Sequence, residues 1–240
     1  MIILRKKRLM IMIFILLISF GTLSINISRD GIKTIETSSV PVSSKVIIVD
    51  AGHGLPDGGA VSNNGVTESE INLKIAFKLQ NLLEQSGNKV ILTRSTENGI
   101  YDANSNSIRE KKISDARKRV EIGNNSGADI FVSIHLNKID QSKYYGWQTF
   151  YKTGSEKSKL LAEKIQENLN NTIQRENHRE PAKLNNVYIM KHIQIPICII
   201  ECGFLSNPEE EQLLQTEEYQ EKLAWGIYGG INDYFKLWNE

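Results

Sequence analysis

Three stretches of the chain stay almost wholly apolar until a polar residue ends them. They are Lys45 to Asp50, Asp129 to His135 and Ile195 to Phe204, the last of which turns polar at Glu201. Near-continuous Val and Ile predict strands buried on both faces, as in an α/β sheet. Lys89 to Arg94, Gly146 to Tyr151 and Val187 to Met190 have the composition of shorter strands. Between the strands the period changes. Thr67 stands as an N-cap before Glu68 and Glu70, acids favoured in a first helical turn, and Ile71, Ile75, Leu79, Leu82 and Leu83 follow at helical spacing until Ser86-Gly87. Ser114 to Gly123 predicts a short basic helix. Ser155 caps a longer one carrying Leu161, Ile165, Leu169 and Ile173. Asn207-Pro208-Glu209-Glu210 reads as an N-cap, a proline at the first helical position and a capping-box acid. The final helix, from about Thr216 to Tyr234, carries Tyr219, Leu223, Ile227 and Ile231 on one face. Glycine-rich Gly52 to Gly65, polar Ser95 to Lys112 and Asn177 to Asn186 read as loops.

This alternation predicts a single α/β domain over 45–240, with about six strands in a mostly parallel or mixed sheet and helices on both faces. Ligands of open α/β sheets gather at the carboxyl ends of strands.

The first 44 residues follow other rules. Arg5-Lys6-Lys7-Arg8 precedes the apolar run Leu9 to Phe20, the arrangement of an export signal. Residues 1–25 therefore read as a signal peptide or a membrane anchor, with no clear cleavage site to choose between them, and 26–44 as a polar tether. Either way the positive-inside bias places the domain outside the cytoplasm, secreted or held at the membrane. A net charge of +1 with both signs interspersed gives no footprint for nucleic acid. The only cysteines are Cys198 and Cys202. Four residues apart on one strand, they would be about 13 Å apart, too far for a disulfide, and read as buried free thiols.

The candidate chemistry lies at the strand ends. His53, in Asp50-Ala51-Gly52-His53-Gly54, follows the first strand, His135 and Glu201 end two others, and Glu68 opens the first helix. Two histidines and two carboxylates suit a hydrolytic zinc site, with three protein ligands, an open position for water, and a further carboxylate to move the proton. Taken singly each has a simpler reading: a histidine held by a glycine loop, a strand-end histidine, a helix-cap acid. Glu201 is the most informative, because a carboxylate directly after Ile197-Cys198-Ile199-Ile200 needs a cation beside it or a strand that has surfaced. His178 and His192 lie in polar segments and read as solvated.

Five ordered blocks carry a family resemblance: Asp50 to Gly54, Gly65-x-x-Glu68 with Asn72-Leu73, Thr93-Arg94, Ala128 to Asn137, and Glu201 to Asn207. Together they resemble the zinc-dependent N-acetylmuramoyl-L-alanine amidases of the amidase 3 family, over nearly the whole of Lys45 to Tyr234. The resemblance implies that His53, Glu68 and His135 bind Zn2+ and that Glu201 is the catalytic carboxylate. Glu70 competes with Glu68 as the helix ligand, but Glu68 matches the motif. Asp50 or a backbone carbonyl is expected to orient His53. The implied substrate is peptidoglycan, cut between the lactyl group of N-acetylmuramic acid and L-alanine. Leu55-Pro56-Asp57 and Cys202 depart from the pattern without touching a ligand. A catalytic domain without wall-binding repeats looks most like the sporulation-type enzymes of the spore cortex, which act before muramic lactam forms. It also leaves room for a recruiting or activating protein partner. The rival readings are a zinc peptidoglycan carboxypeptidase and a peptidoglycan-binding protein that depends on a partner.

Overall fold

The structure is a computed structural model that describes residues 44–238, and the proposed signal or anchor and nearly all of the tether lie outside them. Six strands form one sheet in the order β2-β1-β3-β6-β4-β5. They are β1 (Val46–Ala51), β2 (Lys89–Leu92), β3 (Ile130–Asn137), β4 (Gln148–Tyr151), β5 (Ala182–Lys183) and β6 (Ile197–Phe204). β2, β1, β3 and β6 run parallel, β4 is antiparallel to β6, and β5 is parallel to β4. The helices are α1 (Glu68–Gln85), α2 (Ile108–Asn125), α3 (Glu156–Thr172), α4 (Tyr188–His192), α5 (Pro208–Leu214) and α6 (Glu217–Trp238). No helix among the described residues is long and apolar enough to cross a membrane.

The period-two alternation of β1 divides the core. Ile47, Val49 and Ala51 face a large apolar layer with Ile71, Ile75 and Leu79 of α1, Leu161 and Ile165 of α3, and Leu223, Ile227 and Ile231 of α6. Ile48, with Phe131 and Ile199, faces a smaller layer closed by Ile189 and Met190 of α4 and by Val120 and Ile122 of α2. Helices thus cover both faces, as the apolar runs imply. β2 and β3 flank β1, so the connections after β1 and β2 leave in opposite directions, and a crevice opens at the carboxyl end of β1.

Several elements differ from the sequence reading. α2 begins at Ile108 rather than Ser114, because Ser107 accepts from the Glu110 amide and the Glu110 carboxylate accepts from the Ser107 amide. Val187 to Met190 is not a strand: Tyr188–His192 forms one helical turn that buries Ile189 and Met190. The sixth strand is instead the two-residue β5, inside the segment read as a loop. Asn207 caps α5 as expected, accepting from the Glu210 amide at 3.0 Å, but Glu210 does not complete a capping box. Its carboxylate is buried and accepts from the amides of Phe204 at 2.7 Å and Gly146 at 2.8 Å. Thr67 sits at the N-cap of α1 without a side-chain cap bond. Cys198 and Cys202 are buried free thiols, and burial pushes both thiols up in pKa.

Candidate metal centre

β1 ends at Ala51, and its continuation turns across the top of β3. The Gly52 amide donates to the Ile134 carbonyl at 3.0 Å. A Cβ on Gly52 would lie 2.7 Å from His135 Nδ1 and nearer still to Cε1 and Nε2, so only glycine lets the loop pass over that ring. His53 then adopts a left-handed backbone, φ 59°, which turns its side chain back over the sheet edge. His135 and Glu201 are paired neighbours on β3 and β6, which brings the second histidine and the second carboxylate side by side.

The first turn of α1 supplies the third group. Glu68 is buried, with Oε1 at 3.3 Å from His53 Nε2 and 2.9 Å from His135 Nδ1. Oε1 also accepts from the Leu136 amide at 3.0 Å and from Asn72 Nδ2 at 3.3 Å, while Oε2 accepts from the Ala60 amide at 2.8 Å. Ligand atoms of His53, Glu68 and His135 all lie within 4.8 Å of one another. Glu70, the competing acid, is exposed and pairs with Lys74 at 2.7 Å. His178 and His192 are exposed, away from this cluster.

Two buried arginines hold the loop from behind. Arg94 donates to the carbonyls of Ala51 at 2.9 Å, Gly52 at 3.1 Å and Ser69 at 2.7 Å. Arg119 of α2 donates to the carbonyls of Ala51 at 2.8 Å and His53 at 2.6 Å, and its guanidinium pairs with Asp50 and Asp115. Asp50 is fully buried and accepts from Thr93 and Ser133 hydroxyls, each at 2.6 Å. It therefore does not orient His53. That role falls to Asp57, whose Oδ2 lies 2.9 Å from His53 Nδ1, with Lys112 2.9 Å from its other oxygen.

Neither Asp57 nor Arg119 stood out in the sequence. Asp57 lies in the glycine-rich loop, and its approach to His53 follows the left-handed backbone there. Arg119 lies in a run of basic residues, where the i, i+4 acid Asp115 was the one available signal.

The electrostatics suit a cation among the three groups. Burial opposes charge on His53, yet Asp57 and Glu68 outweigh it and raise the imidazole pKa to about 9. Burial likewise opposes charge on Glu68, but His135 and His53 hold its carboxyl well below the usual range. Glu201 behaves differently. Burial pushes its carboxyl up to about 7, with His135 opposing and the negative charge of Glu68 adding to the rise. Its Oε2 is buried and accepts no hydrogen bond among the described residues. Two imidazoles and a carboxylate are a zinc donor set that leaves a fourth position open, and an orphaned carboxylate oxygen beside it completes the pattern of a hydrolytic centre. A Cβ on Gly59 would lie 2.5 Å from Glu68 Oε2 and 2.8 Å from His53 Cδ2, so the opposite wall is also glycine.

Comparison with known proteins agrees with this geometry. The family profile for N-acetylmuramoyl-L-alanine amidase, amidase 3, matches residues 47–233. The germination-specific N-acetylmuramoyl-L-alanine amidase of Bacillus subtilis is 37% identical over 197 residues, 82% of each protein. The CwlD amidase of Clostridioides difficile, solved in complex with the GerS lipoprotein, superposes with a TM-score of 0.79 at 46% identity, covering 81% of this chain and 100% of that one. An N-acetylmuramoyl-L-alanine amidase from Clostridium difficile 630 superposes at 0.70 with 31% identity, over 80% and 97%.

Proposed function

The chain belongs to the N-acetylmuramoyl-L-alanine amidase family, and on that premise we propose that it hydrolyses the amide between the N-acetylmuramic acid lactyl group and L-alanine in peptidoglycan, using zinc. The observation that carries this reading is the meeting of His53, Glu68 and His135 beside the orphaned Glu201 carboxylate. His53, Glu68 and His135 would hold the ion. When bound, Zn2+ supplies a Lewis acid for the lactyl carbonyl and lowers the pKa of a bound water towards 7.

The chain's own residues supply the rest. Glu201, with a pKa near neutrality, takes a proton from the attacking water and delivers it to the departing L-alanine nitrogen, so that the stem peptide leaves as a free amine. Asp57 holds the His53 ring by its Nδ1, presenting Nε2 towards Glu68. Arg94 and Arg119 fix the carbonyls of the loop that carries His53, so its position costs little reorganisation during turnover.

The biological setting we assign is the spore cortex, where this cleavage precedes muramic lactam formation. The likeness to a germination-specific relative supports that setting. The N-terminal segment would export the domain or anchor it to the membrane. A protein partner that recruits or activates the enzyme is part of the same reading, since the C. difficile neighbour is seen bound to a lipoprotein. Mass spectrometry of muropeptides digested by the zinc-loaded chain tests the reaction. Muramic acid freed of peptide, beside intact stem peptides, is the expected pattern. Shortened stems still attached to muramic acid would refute it in favour of a carboxypeptidase.

A further inference from the structure

We propose that Arg179, seated with Arg175 on an aromatic shelf beside the candidate active site, binds a side carboxylate of the acidic stem peptide. The proposal rests on the amidase reading and specifies what one wall of that site recognises.

The shelf is built by two segments drawn against the end of β6. β4 pairs with β6 so that Gln148 faces Glu201, and the chain entering β4 therefore passes the edge where Glu201 stands. Glu210 fixes it there, bonding the amides of Gly146 and Phe204 together. The segment after α3 packs on top. Asn177 Nδ2 donates to the Trp147 carbonyl at 2.8 Å, and Gln148 Nε2 donates to the Glu180 carbonyl at 2.9 Å. As a result the Arg175 guanidinium lies 4.0 Å from the Tyr145 ring centroid. That of Arg179 lies 4.7 Å from Phe204 and 5.8 Å from Tyr144. Tyr144, Tyr145 and Arg179 line an open cleft of about 270 Å³. Glu176, also in that cleft, is paired with His178.

The two arginines offset the charge of the buried Glu210 carboxylate without forming an ion pair with it. Arg175 pairs with Glu209 at 3.1 Å but keeps Nη1 buried without a hydrogen bond among the described residues. Arg179 is half-buried, donates from Nε to the Tyr145 carbonyl at 3.4 Å, and forms no ion pair among the described residues. Of the other cations, Arg94 and Arg119 are occupied by loop carbonyls, Lys112 by Asp57 and Lys118 by Asp102, whereas Lys143 lines the same cleft with its Nζ 5.3 Å from the Tyr144 ring centroid. A guanidinium pinned on aromatic faces has lost much of its freedom before binding, and its planar fork matches a carboxylate.

Spacing identifies which part of the substrate reaches it. Glu201 pairs with His135 and Phe204 with Asn137 across a bulge, so Phe204 stands two ladder positions beyond Glu201, about 7 Å at roughly 3.3 Å per residue. An extended peptide covers that distance in about two residues. With the cleaved bond at Glu201, the second or third stem residue lies over the shelf, where a side carboxylate would meet the Arg179 guanidinium.

The test uses the full-length chain with zinc and three synthetic muropeptides: fully acidic, amidated at the second residue, or amidated at the third. For the wild type, KM should be about tenfold lower for the fully acidic substrate than for one of the amidated ones, the scale of a charge-assisted hydrogen-bonded pair. Arg179→Gln should raise KM for the acidic substrate to the amidated level, with kcat unchanged, and Arg179→Lys should restore part of the difference. Equal KM for all three substrates with the wild type, or a preference that survives in Arg179→Gln, would overturn the proposal. Calorimetric binding of the same muropeptides to Glu201→Gln, with and without Arg179→Gln, reads the preference without turnover. A chain that cleaves nothing yet binds the acidic form more tightly through Arg179 would refute the amidase reading and uphold the subsite.

Discussion

Asp57 bonds the ring of His53 from outside the His53, Glu68 and His135 cluster, and removing its charge should weaken metal binding more than it weakens the fold. Its Oδ2 is 2.9 Å from His53 Nδ1 and its Oδ1 is 2.9 Å from Lys112. Burial works against its ionisation, but His53 and Lys112 hold the carboxyl well below the usual range, so it is charged at any pH where the enzyme works. Replacing a carboxylate that orients a ligating histidine typically lowers metal affinity by about 10–100-fold, or roughly 1.4–2.7 kcal/mol. Asp57→Ala removes both the hydrogen bond and the charge and should reach the upper part of that range. Asp57→Asn keeps an acceptor for a ring N–H and should sit near the lower part. Asp57 is partly exposed, so unfolding free energy without zinc should change by only about 1 kcal/mol. Competition with a chromophoric zinc chelator gives the affinities, and urea melts in excess chelator give the fold term. Equal zinc affinity in wild type and Asp57→Ala would refute the assignment, as would a loss in Asp57→Ala matched by an equal loss of apo stability.

Two other substitutions probe the scaffold. Asp50→Asn removes the buried one of the two carboxylates that pair with Arg119, leaving Asp115, and should cost about 3 kcal/mol of stability at pH 7 by urea denaturation, the lower end for a broken buried pair. Burial opposes ionisation of Asp50, but Arg119, Ser133 and Thr93 win and hold its folded pKa below 3.8. Its stabilisation is therefore complete above the unfolded pKa of about 3.9 and is lost as pH falls through the lower folded value. The gap between wild type and variant should stay constant from pH 5 to 8, where both states are ionised, and close only on the acid side of about pH 4. A gap that closed near neutrality would contradict the pairing. Gly52→Ala forces a methyl into the His135 ring and should reduce zinc stoichiometry and activity together, at a fold cost of about 1–3 kcal/mol. Full zinc content in that variant, by atomic absorption, would contradict the close approach.

The parts of the molecule most open to sequence reasoning are the strands buried on both faces. β1, β3 and β6 announce themselves as apolar runs, and their carboxyl ends carry His53, His135 and Glu201 to one edge. α2 runs longer than its pattern indicates because its fully buried residues are Ser114, Arg119 and Gly123, so no apolar stripe marks its first turns. The Ser107 and Glu110 pair was the signal available there. Val187 to Met190 misleads because β-branched and aromatic residues fill a single helical turn whose burial is decided by α2 and β6 packing, not by local preference. β5, with two residues, is too short for any pattern. The roles of Asp57, Glu210 and Arg119 depend on geometry beyond the local pattern: a left-handed turn at His53, a loop brought to α5, and the middle of α2 laid against the carboxyl end of β1.

The most direct test is Glu201→Gln in the full-length, zinc-loaded chain, measured for zinc content and for stem-peptide release from the same preparation. Glu201 does not belong to the His53, Glu68 and His135 cluster, and its Oε2 has no hydrogen-bond partner among the described residues. The expected result is zinc near the wild-type stoichiometry with release of L-alanine-terminated peptide reduced by at least about 100-fold, the scale of a lost general base. Wild-type release by that variant, or loss of the metal along with the activity, would contradict the assignment of Glu201 as the carboxylate that moves the proton.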